Sequence, residues 1–220
     1  LVFPDKDAES MAQGLKAVGN RLFNHVFLSL LTTASQNADS ISNRNNIEKI
    51  LKEFAIKAKA KDVLLVYFSG HGSTFAEKGK PQFYYLTKDV TTSDLSNQDV
   101  RNKFTISSND LSAWLTAIPS RKQVLIFDAC HSGEVISSLE SSARDISPSK
   151  IVALDRLKDR SGTFILTGSA ADKVSFESSQ YGQGLLTYTL LQGMRGLALT
   201  EDKRVDVAKL FGHAKDRVPV

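Results

Sequence analysis

The chain has 220 residues, 41% of them hydrophobic and 24% charged, an ordinary globular composition at a length that suits one α/β domain around a single core. That excludes a disordered tail, and no apolar run approaches the roughly 20 residues of a membrane span. The formal charge of +4 arises from 28 basic and 24 acidic residues. The basic ones are scattered, with only short clusters at 57–61 and 156–160, so no nucleic-acid surface is expected.

In chain order, Asp7 to Val18 reads as a helix with Met11, Leu15 and Val18 on one face, and His25 to Leu31 (HVFLSLL) as a strand. Asn43 to Ala58 is the next helix, its apolar face carrying Ile47, Ile50, Leu51, Phe54 and Ala58, followed by a strand VLLVYF at 63–68. A Gly-rich turn separates it from a short strand at 83–86, and 87–106 is polar and loop-like. A helix at 107–118 with Ser or Asn as its cap precedes the strand VLIF at 124–127. Beyond a Ser-rich, charged stretch, FILTGS at 164–169 supplies another strand and the remainder two helices. VLLVYF and VLIF are apolar on both faces, as strands are when helices cover a parallel sheet on each side. The fold class is therefore α/β with a mostly parallel central sheet, in one domain without internal repeats.

In such sheets the working residues lie beyond the carboxyl ends of the strands. VLLVYF ends in Ser69-Gly70-His71-Gly72 and VLIF in Asp128-Ala129-Cys130. Side chains alternate along a strand, so Ser69 shares a face with His71, and Asp128 with Cys130. If the two strands are neighbours, the four groups meet at one edge. A thiol beside an imidazole is a nucleophile with its base, and the amides of Gly72 and Cys130 suit a developing oxyanion. Asp128 is a poor activator, because a nearby negative charge disfavours the thiolate. It either awaits a cation brought by a substrate or serves as a cap or structural hydrogen-bond acceptor.

YFSGHG at 67–72 and DACHSG at 128–133 resemble the His and Cys motifs of the caspase-like cysteine peptidases of clan CD (peptidase C14). The acid two residues before the cysteine and the His-Ser-Gly after it are most similar to the metacaspase and bacterial caspase-homologue branch. The Gln-Ala-Cys-Arg-Gly type motif of true caspases is absent. PDKDAESMAQGL at 4–15 and FILTGSAADKVSFES at 164–178 add weaker similarity, so that the resemblance spans nearly the whole chain. It implies a caspase-haemoglobinase fold with His71 as general base and Cys130 as nucleophile. It also implies an S1 pocket lined by Asp7, Asp128 and Ser69, and a substrate loop bearing Ser169 and Asp172. An acidic S1 pocket implies protein substrates cut after Arg or Lys. Asp7, near a helix start, is alternatively a dipole-complementing residue. His131, which alternation sends to the other side, is left without a role.

The family places a strand before the segment matching PDKDAE, so another segment, and further domains of a larger chain, are expected to complete the sheet. The dyad needs no cofactor. Many metacaspases use calcium, but Asp89, Asp94, Asp99 and Asp110 do not form a dense calcium loop, and calcium dependence is not favoured. The lone cysteine, with no disulfide partner and no CxxC site, fits a reducing, cytoplasmic setting. A catalytically silent scaffold and a domain acting only in cis are the competing readings. The stretch 132–161 is a candidate processing loop carrying Arg144, Lys150, Arg156, Lys158 and Arg160. Prolonged incubation of active protein is expected to cut the chain beside one of these residues. Mass spectrometry showing an intact chain would count against it.

Overall fold

The computed structural model describes residues 3–77, 80–92, 94–129, 163–167, 177–178, 182–202 and 204–217. Helix α1 (Pro4–Leu22) and helix α2 (Arg44–Lys57) precede the long strand β1 (Val63–Glu77) and strand β2 (Lys80–Leu86). A short helix α3 (Gln98–Phe104), strand β3 (Thr105–Ser107) and helix α4 (Ser108–Ala117) lead to β4 (Lys122–Ala129). Strand β5 (Thr163–Thr167), the two-residue strands β6 (Glu177–Ser178) and β7 (Gln183–Gly184), and helices α5 (Leu185–Gln192) and α6 (Val207–Lys215) follow.

The main sheet has the order β3-β2-β1-β4-β5. β4 pairs parallel with β1 and with β5, whereas β2 is antiparallel to both β1 and β3. It is thus a mixed sheet whose parallel part contains the two buried strands read from the sequence. Alternation sorts their side chains into two cores. Leu64, Phe68, Leu125 and Phe127 face α2 and α4, together with Ile47, Leu51, Leu111 and Leu115. Val124 and Ile126, with the half-buried Leu65 and Tyr67, face Met11 of α1, Leu186 and Leu190 of α5 and Leu210 of α6. Helices therefore cover both faces, which is why these strands carry no polar face until they end.

Several expectations change in the structure. The Gly-rich stretch after VLLVYF is not a turn. β1 runs through it by exchanging partners, pairing with β4 as far as Gly70 and with β2 from His71 onward. His25 to Leu31 forms no ladder, and the nearest bridge is Thr32 with Ile41. Alternating apolar residues specify a face to bury, but a strand also needs a neighbour at its edge. Among the described residues none lies there, and Phe27 stays 84% exposed. The stretch 87–106, read as loop, holds α3, capped by the Asn97 side chain accepting from the Asp99 amide. It then runs into β3, whose three residues pair with Tyr84–Leu86.

Helices α2 and α4 are joined by one ion pair. Asn43 caps α2 and Ser107 caps α4, the latter one of the Ser or Asn caps read from the sequence, and Asp110 completes a capping box with Ser107. Asp110 also takes a two-pronged bond from Arg44, 2.8 Å on each prong. Burial pushes the Asp110 carboxyl up, but the bonds from Arg44 and Ser107 outweigh it and hold the group below its ordinary value. Its contribution is complete above the unfolded carboxylate range and is lost as pH falls through the lower folded value. Asp110→Asn is expected to cost about 1–2 kcal/mol at neutral pH. In urea unfolding the gap from the parent protein should close as the pH is taken below about 4.

Candidate active site

The parallel ladder between β1 and β4 places Ser69 opposite Asp128 and Gly70 opposite Ala129. The two polar strand ends are therefore neighbours in register. One step earlier, Phe68 lies opposite Phe127 with the rings stacked 5.2 Å apart. His71, the next residue of β1, is exposed and pairs with Leu86, and Gly72 is buried opposite Tyr85. Cys130 directly follows the last described residue of β4 and, like Ser169, Asp172 and the stretch 132–161, lies outside the described residues. At Gly70 the chain adopts φ +155°, and a Cβ there would stand 2.7 Å from the Tyr85 hydroxyl, which donates to the Ser69 carbonyl at 2.8 Å. Only glycine fits both the conformation and the close approach.

Asp7 and Asp128 come together on the α1 and α5 side of the sheet. Both are buried, at 0% and 1% exposure, an arrangement that costs heavily unless each carboxylate is hydrogen-bonded. Asp7 sits in the first turn of α1 but does not cap it. It accepts from the Gly184 amide at 2.9 and 3.2 Å and from the Ser69 hydroxyl at 3.3 Å. Its neighbour Asp5 points elsewhere, fastening the Thr33 amide and hydroxyl. Asp128 accepts from the Thr187 hydroxyl at 3.0 Å, and Thr187 in turn shares a short hydrogen bond with the Tyr67 hydroxyl. Gly184 lies between the acids. A Cβ on it would stand 2.8 Å from Asp128 Oδ2 and 2.9 Å from Asp7 Oδ2, so the absence of a side chain lets both carboxylates converge. Gln183 fastens the same segment to α1 through Ser10, at 2.7 Å.

The structure thus gathers Ser69, Asp7 and Asp128 and puts His71 at the same sheet end. Gly184, Thr187 and Tyr67 do not stand out in the sequence, and nothing local marks the first two. Tyr67 alone had a usable signal, since it shares a strand face with Ser69 two residues on. Among the described residues no group of three or more His, Cys, Asp or Glu is arranged to hold a metal ion. The acids of the 88–110 region are dispersed: Asp110 binds Arg44, Asp99 pairs with Lys103, and Asp94 accepts from the Ser96 amide.

Residues 1–219 match the family described as Peptidase_C14, the caspase domain. No curated protein matches the sequence. The crystal structure of the protein GSU0716 from Geobacter sulfurreducens superposes with a TM-score of 0.60 at 16% identity, over 98% of this chain and 79% of that one. At that identity the likeness concerns the fold. No helix among the described residues is long and apolar enough to cross a membrane.

Gly70→Ala is expected to lower stability by about 2 kcal/mol, through the positive φ and the collision with Tyr85. Because the closest atom is the Tyr85 hydroxyl oxygen, the same change in a Tyr85→Phe background should cost less. A double-mutant cycle by thermal unfolding reads the difference, and strict additivity would show that the contact is not felt.

Proposed function

Because this chain belongs to the caspase-domain family of peptidases, we propose that it is a cysteine endopeptidase that cleaves proteins after Arg or Lys. The observation that carries the specificity is the buried pair Asp7 and Asp128, brought together with Ser69 at the strand ends that bear the His and Cys motifs. Two negative charges converging in a low-dielectric pocket repel each other, and a cationic P1 side chain offsets that repulsion.

In this reading Cys130 supplies the nucleophile. His71 takes the thiol proton as the sulfur attacks the scissile carbonyl and returns it to the departing amine. The amides of Gly72 and Cys130 hold the oxyanion. A water molecule, deprotonated by His71, then attacks the thioester, expels the thiolate and releases the new carboxyl terminus. Ser169 and Asp172 flank the substrate backbone, and the chemistry calls for no cofactor.

Fluorogenic peptides with Arg, Lys or Asp at P1, assayed with and without calcium, test this. Cleavage after Arg and Lys is expected, with none by Cys130→Ala. Asp7→Asn and Asp128→Asn should each reduce kcat/KM by about 100-fold, the scale of removing one partner from a buried charge pair. Cleavage confined to Asp peptides would overturn the pocket assignment. Silence on all of them would favour the scaffold or cis-only reading.

A further inference from the structure

Resting on the peptidase reading above, we propose that Thr187, oriented by Tyr67, is a specificity-determining positioning residue that sets Asp128 for a guanidinium rather than an ammonium. Thr187 is 0% exposed on α5, whose buried Leu186, Leu190 and Leu191 belong to the second core. A buried hydroxyl needs its hydrogen bonds satisfied. Two threonines of this helix answer that need differently. Thr189 returns its proton to its own helix, at the Leu185 carbonyl, whereas Thr187 sends its proton out to Asp128 Oδ2 at 3.0 Å.

That donation fixes the direction of the whole chain of bonds. A hydroxyl has one proton, so Thr187, giving its own to Asp128, offers only lone pairs to Tyr67, and the Tyr67 phenol must donate. Burial, and then the charges of Asp128 and Asp7, push that phenol well above its ordinary value, which keeps it a donor. The result is an ordered relay from Tyr67 on β1, through Thr187 on α5, to Asp128 on β4. It ties one carboxylate to two separate elements, while Gly184 ties Asp7 to the start of the same helix.

The ordering matters for what the pair can bind. A guanidinium is a rigid planar fork whose N–H groups must each meet a correctly placed oxygen, whereas an ammonium is a compact charge with freely rotating donors. Asp128 Oδ2 and Asp7 Oδ2 lie 2.8 and 2.9 Å from one point, the missing Cβ of Gly184, so rotation of either carboxylate spoils a fork sooner than a point-charge contact. Releasing Asp128 should therefore weaken an arginine side chain more than a lysine.

The test is calorimetric binding of argininamide and of lysinamide to the full chain carrying Cys130→Ala, so that affinity is read without turnover. Adding Thr187→Val, which keeps the shape and removes the hydroxyl, is expected to weaken argininamide about tenfold and lysinamide by clearly less. Thr187→Ser should restore the parent affinities, and Tyr67→Phe should fall between. Recovery in Thr187→Ser, together with a loss larger for argininamide than for lysinamide, separates pocket order from general damage. Unchanged argininamide binding in Thr187→Val, or equal losses for both probes, would overturn the assignment while leaving peptide cleavage by the parent to stand. A parent that binds neither probe and cleaves no Arg or Lys peptide would overturn both readings.

Discussion

Everything at this site depends on the register of one parallel ladder. A slip of a single residue between β1 and β4 would send every side chain to the opposite face. Asp128 would then turn from the α1 and α5 side toward the aromatic core. The stacked pair Phe68 and Phe127 opposes that slip one step before the polar residues begin. Tyr85 and Phe83 extend the aromatic packing into β2, with ring centroids 4.9 Å from Phe68 and 6.3 Å from Phe127 respectively. The core facing α2 and α4 thus fixes the geometry of the carboxylate pair on the other face.

The partner exchange of β1 is the second constraint. A strand that ended at Phe68 would leave Ser69 to Gly72 in a turn and His71 on a loop. Because β1 continues into the ladder with β2, His71 and Gly72 are instead backbone-paired and held on a sheet. Gly70 makes this continuation possible, since it alone can take φ +155° beneath the Tyr85 hydroxyl. The Tyr85 bond to the Ser69 carbonyl satisfies an acceptor where the strand changes neighbours. Backbone pairing at His71 and a satisfied carbonyl at Ser69 follow from one local distortion of the chain.

The acidic pair shows how distant segments share one electrostatic problem. Two buried carboxylates are tolerable only with donors supplied to them. Among the described residues those donors include Ser69 of β1, Gly184 at the β7–α5 junction and Thr187 of α5. Asp7 and Gly184 are 177 positions apart, so the acidic pair forms only when the β7–α5 junction has packed against α1. Ordering of the acidic pair and completion of the second core, where α1 meets α5, are one event.

The sequence by itself determined that parallel strands with two apolar faces carry this domain, because VLLVYF and VLIF leave no polar side for solvent. It also marked Ser69, His71, Asp128 and Cys130, since reactive residues at buried strand ends are costly to place without a purpose and the two motifs resemble those of a known family, and it marked Asp7 only through the weaker resemblance of residues 4–15 to that family. It could not show that His25 to Leu31 lacks a ladder, that β1 runs through its glycines, or that 98–107 holds α3 and β3. Each of these turns on which edge a neighbour occupies, and local alternation carries no information about edges. Nor could it reveal Thr187, Gly184 and Tyr67. A threonine in an apolar helix, a glycine before it and a tyrosine in a buried strand read as core or turn until tertiary packing sets two carboxylates among them. Only then does a hydroxyl acquire a direction and a missing side chain become a requirement.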